Sequence, residues 1–333
     1  MKPVPALLSA ALLALSVAAA QAQAPNLTLE GALAKASEQA PVASARTELA
    51  DAQANLQRVL SDPLLTRPAR VQAEQRAALA QANLDRSVAQ AQNSIAGAYA
   101  QVLEANIQNR LAQKGLEIAT RGVEVAQIRQ RNGSGTALDL RNAQNRQDDA
   151  RSNATRAANG LTLAQNSLRS LVGAFGNLAP LPAAPAVPDD NAVKALMDKS
   201  PDIIQARQRV ALATMQVELL DPAYAAQADI DAAKARAEQA GAGAREIERG
   251  FSLNYDSLQQ NAAAAFRSLS IQQQALANAR EALENDRRRL SSGLISALTF
   301  QQSELTFIQA ELAAQQAQGN YFRAFYSLQA GGR

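Results

Sequence analysis

Residues 255–290 read YDSLQQNAAAAFRSLSIQQQALANAREALENDRRRL. Within that stretch Tyr255, Leu258, Ala262, Ala265, Leu269, Leu276, Ala279, Leu283 and Leu290 fall on an alternating 4,3 spacing, with Gln272 and Asp286 in the two missing places. A 3.5-residue period sustained over roughly four heptads or more is a coiled-coil signature. A lone amphipathic surface helix has no need of so narrow a stripe for so long. The rhythm resumes after Gly293 through Leu298, Leu305, Ile308, Leu312, Gly319, Phe322 and Tyr326. The chain therefore turns at Gly293 and comes back along itself.

The same plan occurs earlier in the sequence. Ala143, Ala150, Ala154, Ala157, Leu161, Ala164, Leu168 and Leu171 keep the heptad spacing behind Gly133. Gly133, Ala137, Leu138 and Gln144 recur as Gly293, Ala297, Leu298 and Glu304, an offset of about 160 residues. Leu60-Ser61-Asp62-Pro63 recurs as Leu219-Leu220-Asp221-Pro222, and Ala40-Pro41 as Ser200-Pro201. A period this long is a duplicated structural unit, since solenoid modules run to about 20–50 residues. Each unit reads as one long helical hairpin.

The breakers set the lengths. From Pro63 to Gly133 is about 70 residues and from Pro222 to Gly293 about 71, so each outgoing helix is on the order of 100 Å long. Each return spans about 35 residues, half of that length. Gly241, Gly243 and Gly250 are expected to weaken the second long helix locally. Asp62-Pro63 and Asp221-Pro222 read as tight helix-to-helix turns, with Asp capping and Pro at the first helical position. Gly173, Gly176, Pro180, Pro182, Pro185 and Pro188 mark an extended linker, and Asp189-Asp190 offers the next N-cap. The expected organisation is a leader over 1–24, a first hairpin repeat over 25–176, a linker over 177–190 and a second repeat over 191–333. The fold class is all-α, with little or no β-structure.

Composition narrows the function. Hydrophobic residues reach 47%, yet much of that is alanine, and aromatics are only 4%. At roughly 25 cal/mol per Å² an Ala-rich seam holds two helices together weakly. Such helices need neighbours on more than one side, which favours a self-associated tube or sheet. With no His and no Cys, the commonest general base, metal ligand and thiol nucleophile are missing. No convergent carboxylate pair replaces them, so the reading is not an enzyme, with no cofactor and no metal. A net charge of +3 from 33 basic and 30 acidic residues is too mild to suggest nucleic acid. Met1-Lys2, the apolar run Ala6 to Ala20, and Ala22 and Ala24 at alternate positions form the three parts of an export signal. Export to the periplasm or the outer membrane follows.

The order of parts now carries a resemblance. An opening Leu27-Thr28-Leu29-Glu30-Gly31-Ala32-Leu33, a helix beginning at Pro41, a long helix, a glycine tip and a return, with the helical part repeated once, resembles the TolC family of outer-membrane efflux proteins. The tips fit its pattern of Gly, a few variable residues, then Leu-Asp-Val-Leu or similar. Gly133-Ser134-Gly135-Thr136-Ala137-Leu138-Asp139-Leu140 fits well. Gly293-Leu294-Ile295-Ser296-Ala297-Leu298-Thr299-Phe300 has Thr in the usual Asp place.

The resemblance implies a homotrimer whose twelve helices form a periplasmic export tunnel for small molecules or secreted proteins. Its tips would meet a periplasmic adaptor and an inner-membrane pump. The residues implied at that contact are Gly133, Gly135, Thr136, Leu138, Asp139, Gly293, Ser296, Leu298 and Thr299. Two departures stand out. Family members insert two membrane strands in each unit, and such a strand needs about 9–11 residues. Here only the short turns at Asp62, Pro63, Asp221 and Pro222 occupy those places, and no transmembrane barrel is expected. The family's acidic aperture positions correspond to the neutral Thr299 and Gln302, and its basic gating partner to Ile295.

Plainer roles compete at several positions. Gly133, Gly135 and Gly293 can serve only as turn formers with positive φ. Leu138 and Leu298 can start the seam or dock an adaptor. Arg287-Arg288-Arg289 and Asp148-Asp149 read as solvated faces. A barrel-free structural or scaffold protein of the envelope remains the alternative to an efflux component.

Overall fold

The computed structural model describes residues 26–331. Helices α1 (Leu29–Ala34), α2 (Ala40–Leu60), α3 (Arg67–Arg131) and α4 (Ala137–Val172) form one half. Helices α5 (Asp190–Asp198), α6 (Pro201–Glu218), α7 (Gln227–Ser291) and α8 (Ala297–Gln329) form the other. The export signal lies outside the described residues, which contain no β-strand, only an isolated parallel bridge between Leu27 and Leu178.

Helices α3 and α7 are each 65 residues long, somewhat shorter than the breakers suggest. The reason lies in the turns. Asp62 does not cap α3; its carboxylate accepts from the backbone N–H of Leu64 at 2.9 Å. Asp221 does the same with Ala223 at 2.8 Å. Each Asp-Pro pair thus builds an Asx turn of its own, a local bond that competes with helix. Helix α3 starts only at Arg67, with Thr66 as N-cap and Pro68 in the first turn. Helix α7 starts after Ala226 without a side-chain cap. Asp189 does cap α5, accepting from the Ala192 N–H at 2.8 Å. Gly241, Gly243 and Gly250 all lie inside uninterrupted α7, because tertiary packing outweighs the propensity cost of about 1 kcal/mol each.

The long elements pack as a row, α4–α3–α8–α7. Farther from the tips α2 lies on α3 and α6 lies on both α3 and α7. There α2 extends the line of α4, with Gln39 Nε2 donating to the Leu171 carbonyl. In the same way α6 extends the line of α8. Every heptad position named above is buried or half-buried, including the polar ones. Asp286 accepts from the Ser303 hydroxyl of α8 at 2.6 Å, which satisfies a carboxylate at the seam and holds it below the usual carboxylate range.

The two halves meet differently. Along α3 the neighbours from the second half are engaged mainly through polar pairs. Arg67 meets Glu218 at 2.8 Å, Gln208 donates to the Gln75 carbonyl at 2.9 Å, and Arg86 meets Asp202 at 2.9 Å. Farther along, Glu104 pairs with Arg323, Arg110 with Glu311, and Lys114 with Glu304 at 2.7 Å. Arg67, Glu218, Arg86 and Asp202 are exposed, and such pairs contribute at most about 1 kcal/mol each, while Glu104 and Lys114 are the more covered members; the ladder sets register more than stability. Gly319 lets the helices close up here, since a Cβ would sit 3.1 Å from the Ala100 Cβ and 2.3 Å from a Glu104 oxygen.

The main apolar core sits where the N-terminal segment and the linker cross the row. Leu29, Ile95, Tyr99, Leu168, Leu181 and Phe322 pack there. The Tyr99 hydroxyl reaches the carbonyls of Leu27 at 2.8 Å and Ala179 at 2.6 Å. Burial pushes its phenol up to about 12. On α8 the Tyr321 hydroxyl donates to the Pro185 carbonyl at 2.5 Å, and its ring lies edge-on to Phe266 at 5.2 Å. Two buried tyrosines therefore tie down an extended segment that has no ladder of its own.

Candidate functional site: the paired hairpin tips

Both tips close by one mechanism. Gly133 and Gly293 each adopt φ +69°, the left-handed region where a glycine ends a helix at least cost. The next N–H returns to a carbonyl of the last turn, Ser134 to Arg129 at 2.9 Å and Leu294 to Arg289 at 2.8 Å. Thr136 and Ser296 then start the return helices, each accepting from a backbone N–H three residues on, at 3.1 Å from Asp139 and from Thr299.

The tips differ at that third residue. Asp139 reaches back to the Thr136 N–H at 2.8 Å and completes a capping box. The Thr136 backbone N–H and hydroxyl hold its carboxyl below the usual range. Thr299 offers only a hydroxyl, 2.9 Å from that of Ser296. One tip thus carries a fixed negative charge and the other is neutral.

Gly135 does not have positive φ, contrary to the sequence reading. It is small for a steric reason, since a Cβ would lie 3.0 Å from the Arg129 Cβ. Its counterpart Ile295 accommodates a side chain there. Leu138 is 59% exposed, so it does not begin the seam. Leu298 is half-buried and lines a groove with Leu116, Val125 and Ile128 of α3. Beside it Gln301, almost fully buried, donates to Glu117 at 2.7 Å while its carbonyl oxygen has no partner among the described residues. Since the start of α8 packs near the end of α3, the two tips lie side by side at one end. Asp62, Pro63, Asp221 and Pro222 lie at the opposite end, and the Arg67–Glu218 pair joins their two turns. Sequence reasoning missed the groove and the ladder because neither shows a local pattern. Among the described residues Arg287, Arg288 and Arg289 engage only local partners, Glu284, Asn285 and Asp286, as befits a solvated face.

A chain whose long hairpins lie side by side, tips together, has an extended all-α fold. Among solved structures it resembles CusC, with TM-score 0.62 and 14% identity over 93% of each chain. It also resembles the CmeC outer membrane channel of Campylobacter jejuni, with TM-score 0.63 and 9% identity over 91% of this chain and 85% of that one. For the outer membrane protein VceC of Vibrio cholerae the values are 0.59 and 18%, over 91% and 96%. At such identities the likeness is one of fold. No curated protein matches the chain. The family described as outer membrane efflux protein matches residues 6–174, and the chain belongs to that family. Membership makes it an efflux-channel protein of the outer membrane and periplasm, in a family of transport channels rather than enzymes.

Proposed function

We propose that the protein forms the periplasmic tube of an efflux or secretion assembly as a homotrimer, each copy contributing two hairpin repeats. The observation that carries this reading is the four-helix row with two open ends, α4 and α7. Cyclic copies would place α7 of one protomer on α4 of the next, a head-to-tail contact that closes into a ring. Twelve helices then line one channel, and the weak Ala-rich seams gain neighbours on both sides. Leu138, exposed beside the charged Asp139, and the second tip's Gly293, Ser296, Leu298 and Thr299 form the face offered to a periplasmic adaptor.

The two Asx turns favour a second reading for the opposite end. They join helix to helix directly, so the tube ends without membrane strands of its own, and a scaffold role in the envelope is the rival. Sedimentation equilibrium of the mature chain tests the ring. A trimer mass is expected, and a monomer at micromolar concentration would sink it. Co-purification of an adaptor or pump, lost on Leu138→Asp, separates transport from scaffold. Capture of neither would favour the scaffold.

A further inference from the structure

The two Asx turns carry the most exposed large apolar side chains of the described residues, Tyr224 at 91% and Leu64 at 83%. They stand about 160 residues apart, the period of the duplication, and Leu60 and Leu219 repeat the arrangement beside them, both exposed. The Arg67–Glu218 pair holds the two turns together, so all four side chains belong to one end of the molecule. Apolar residues bared singly need no explanation, but a cluster of them marks an interaction surface.

Three features of that end favour lipid over protein. At such exposure Tyr224 and Leu64 project from the surface and line no groove. The four side chains bare on the order of 500 Å² between them, short of the roughly 800 Å² that each partner of a standard protein interface buries. The backbone of the turns is already satisfied. Ser61, Asp62, Leu64 and Leu65 donate their N–H groups within the first turn and the helix end before it, Ala223, Tyr224 and Ala225 do so within the second, and Pro63 and Pro222 have none to donate. Such a segment enters the apolar edge of a bilayer without stranding a donor there. Tyrosine suits that boundary, with its ring in the apolar layer and its hydroxyl in water.

We propose that the paired turns seat this end of the molecule on a phospholipid surface, with Leu64 and Tyr224 as the inserted side chains. The nearby charges nearly cancel, Arg58 and Arg67 against Asp62, Glu218 and Asp221, so the contact is apolar and needs no anionic lipid. It deepens the efflux reading by giving the strand-free end of the tube a lipid seat. The seat itself is built within one protomer, and copies in a ring would multiply it.

The test uses the absence of Trp from the chain. Tyr224→Trp and Leu64→Trp, made separately in the full mature chain, each place one fluorophore at a turn. Leu294→Trp, at an exposed leucine of the second tip, is the control at the far end. With phosphatidylcholine vesicles the emission of the first two should shift to the blue and be quenched by brominated lipid, in high salt as in low, while the control is unaffected. Leu64→Ser and Tyr224→Ser should each weaken vesicle co-sedimentation about tenfold, the loss of one inserted side chain. Helicity by circular dichroism confirms that each variant is folded. Emission unchanged by vesicles at both turns, equal quenching at the control, or binding abolished by high salt overturns the proposal. So does a blue shift that grows with protein concentration without lipid, the sign of two copies meeting end to end. None of these readings depends on a trimer mass, so failure of the lipid seat and failure of the ring are separately visible.

Discussion

Gly133 and Gly293 stand about 160 residues apart in sequence and share one backbone conformation, φ +69°. Around neither does a Cβ meet any atom within 4 Å. Substitution by alanine therefore tests backbone strain alone, at about 1–2 kcal/mol for an L-residue in the left-handed region. Gly133→Ala and Gly293→Ala should each lower stability by about 1 kcal/mol, and the double variant by their sum. Gly135→Ala carries no positive-φ strain but sets a Cβ 3.0 Å from the Arg129 Cβ, so its cost, about 1–3 kcal/mol, is one of overpacking. Urea denaturation midpoints read all four variants.

Thr136→Ala removes the acceptor for the Asp139 N–H, and a lost N-cap costs about 1 kcal/mol. Ser296→Ala should cost a similar amount. The two differ in pH dependence. Since Asp139 titrates below its unfolded value, its stabilisation is present above the unfolded pKa and is lost as pH falls through the folded one. Asp139→Asn should therefore flatten the acid limb of the stability profile, whereas Thr299→Ala should leave its shape unchanged. Thermal midpoints between about pH 2 and 6 decide this.

Glu104 behaves in the opposite sense. Burial raises its pKa by more than the Arg323 guanidinium lowers it. A raised folded pKa means stability fully present below the unfolded pKa and lost as pH rises through the folded one. Glu104→Gln should remove that loss at neutral pH while leaving Arg323 without its charge partner.

Gly319→Ala attacks the same junction sterically. A Glu104 side chain can swing away, but the Ala100 Cβ at 3.1 Å belongs to the facing helix. Overpacking of this kind costs about 1–3 kcal/mol. The expected result is a lower urea midpoint, with helicity retained in the folded baseline.

Tyr99→Phe keeps the ring and strips the group shared by the Leu27 and Ala179 carbonyls. A buried acceptor left without its donor costs about 1–3 kcal/mol. Limited proteolysis should show faster cleavage within residues 177–189 for Tyr99→Phe and for Tyr321→Phe. Rates equal to wild type would show that other contacts hold the linker.

Helices, tips and turns were legible in the sequence because each rests on residues close together in the chain. A heptad period reports which face is covered, and Gly133 and Gly293 report where a helix must stop. Locality also explains the errors. The Asp-Pro pairs carry helix-start chemistry, yet the shorter Asx bond to Leu64 or Ala223 wins, and Thr66 caps instead of Asp62. Gly135 reads like Gly133 in sequence, yet its smallness answers the nearby Arg129 and not a positive φ. Leu138 and Leu298 are equivalent by repeat, yet α4 ends the row with α3 as its one long neighbour, whereas α8 runs between α7 and α3, which partly covers Leu298.

The sequence by itself determined the secondary structure, the duplication and the equivalence of the two tips, since propensity, period and capping act within a few turns of helix. Only the tertiary structure decided how the repeats sit against each other. The Glu104–Arg323 and Arg110–Glu311 pairs, the opening at Gly319, and the anchoring of the linker by Tyr99 and Tyr321 all join residues far apart in the chain. Their partners are fixed by which helices become neighbours, and an Ala-rich seam with little shape of its own leaves that choice to the polar ladder.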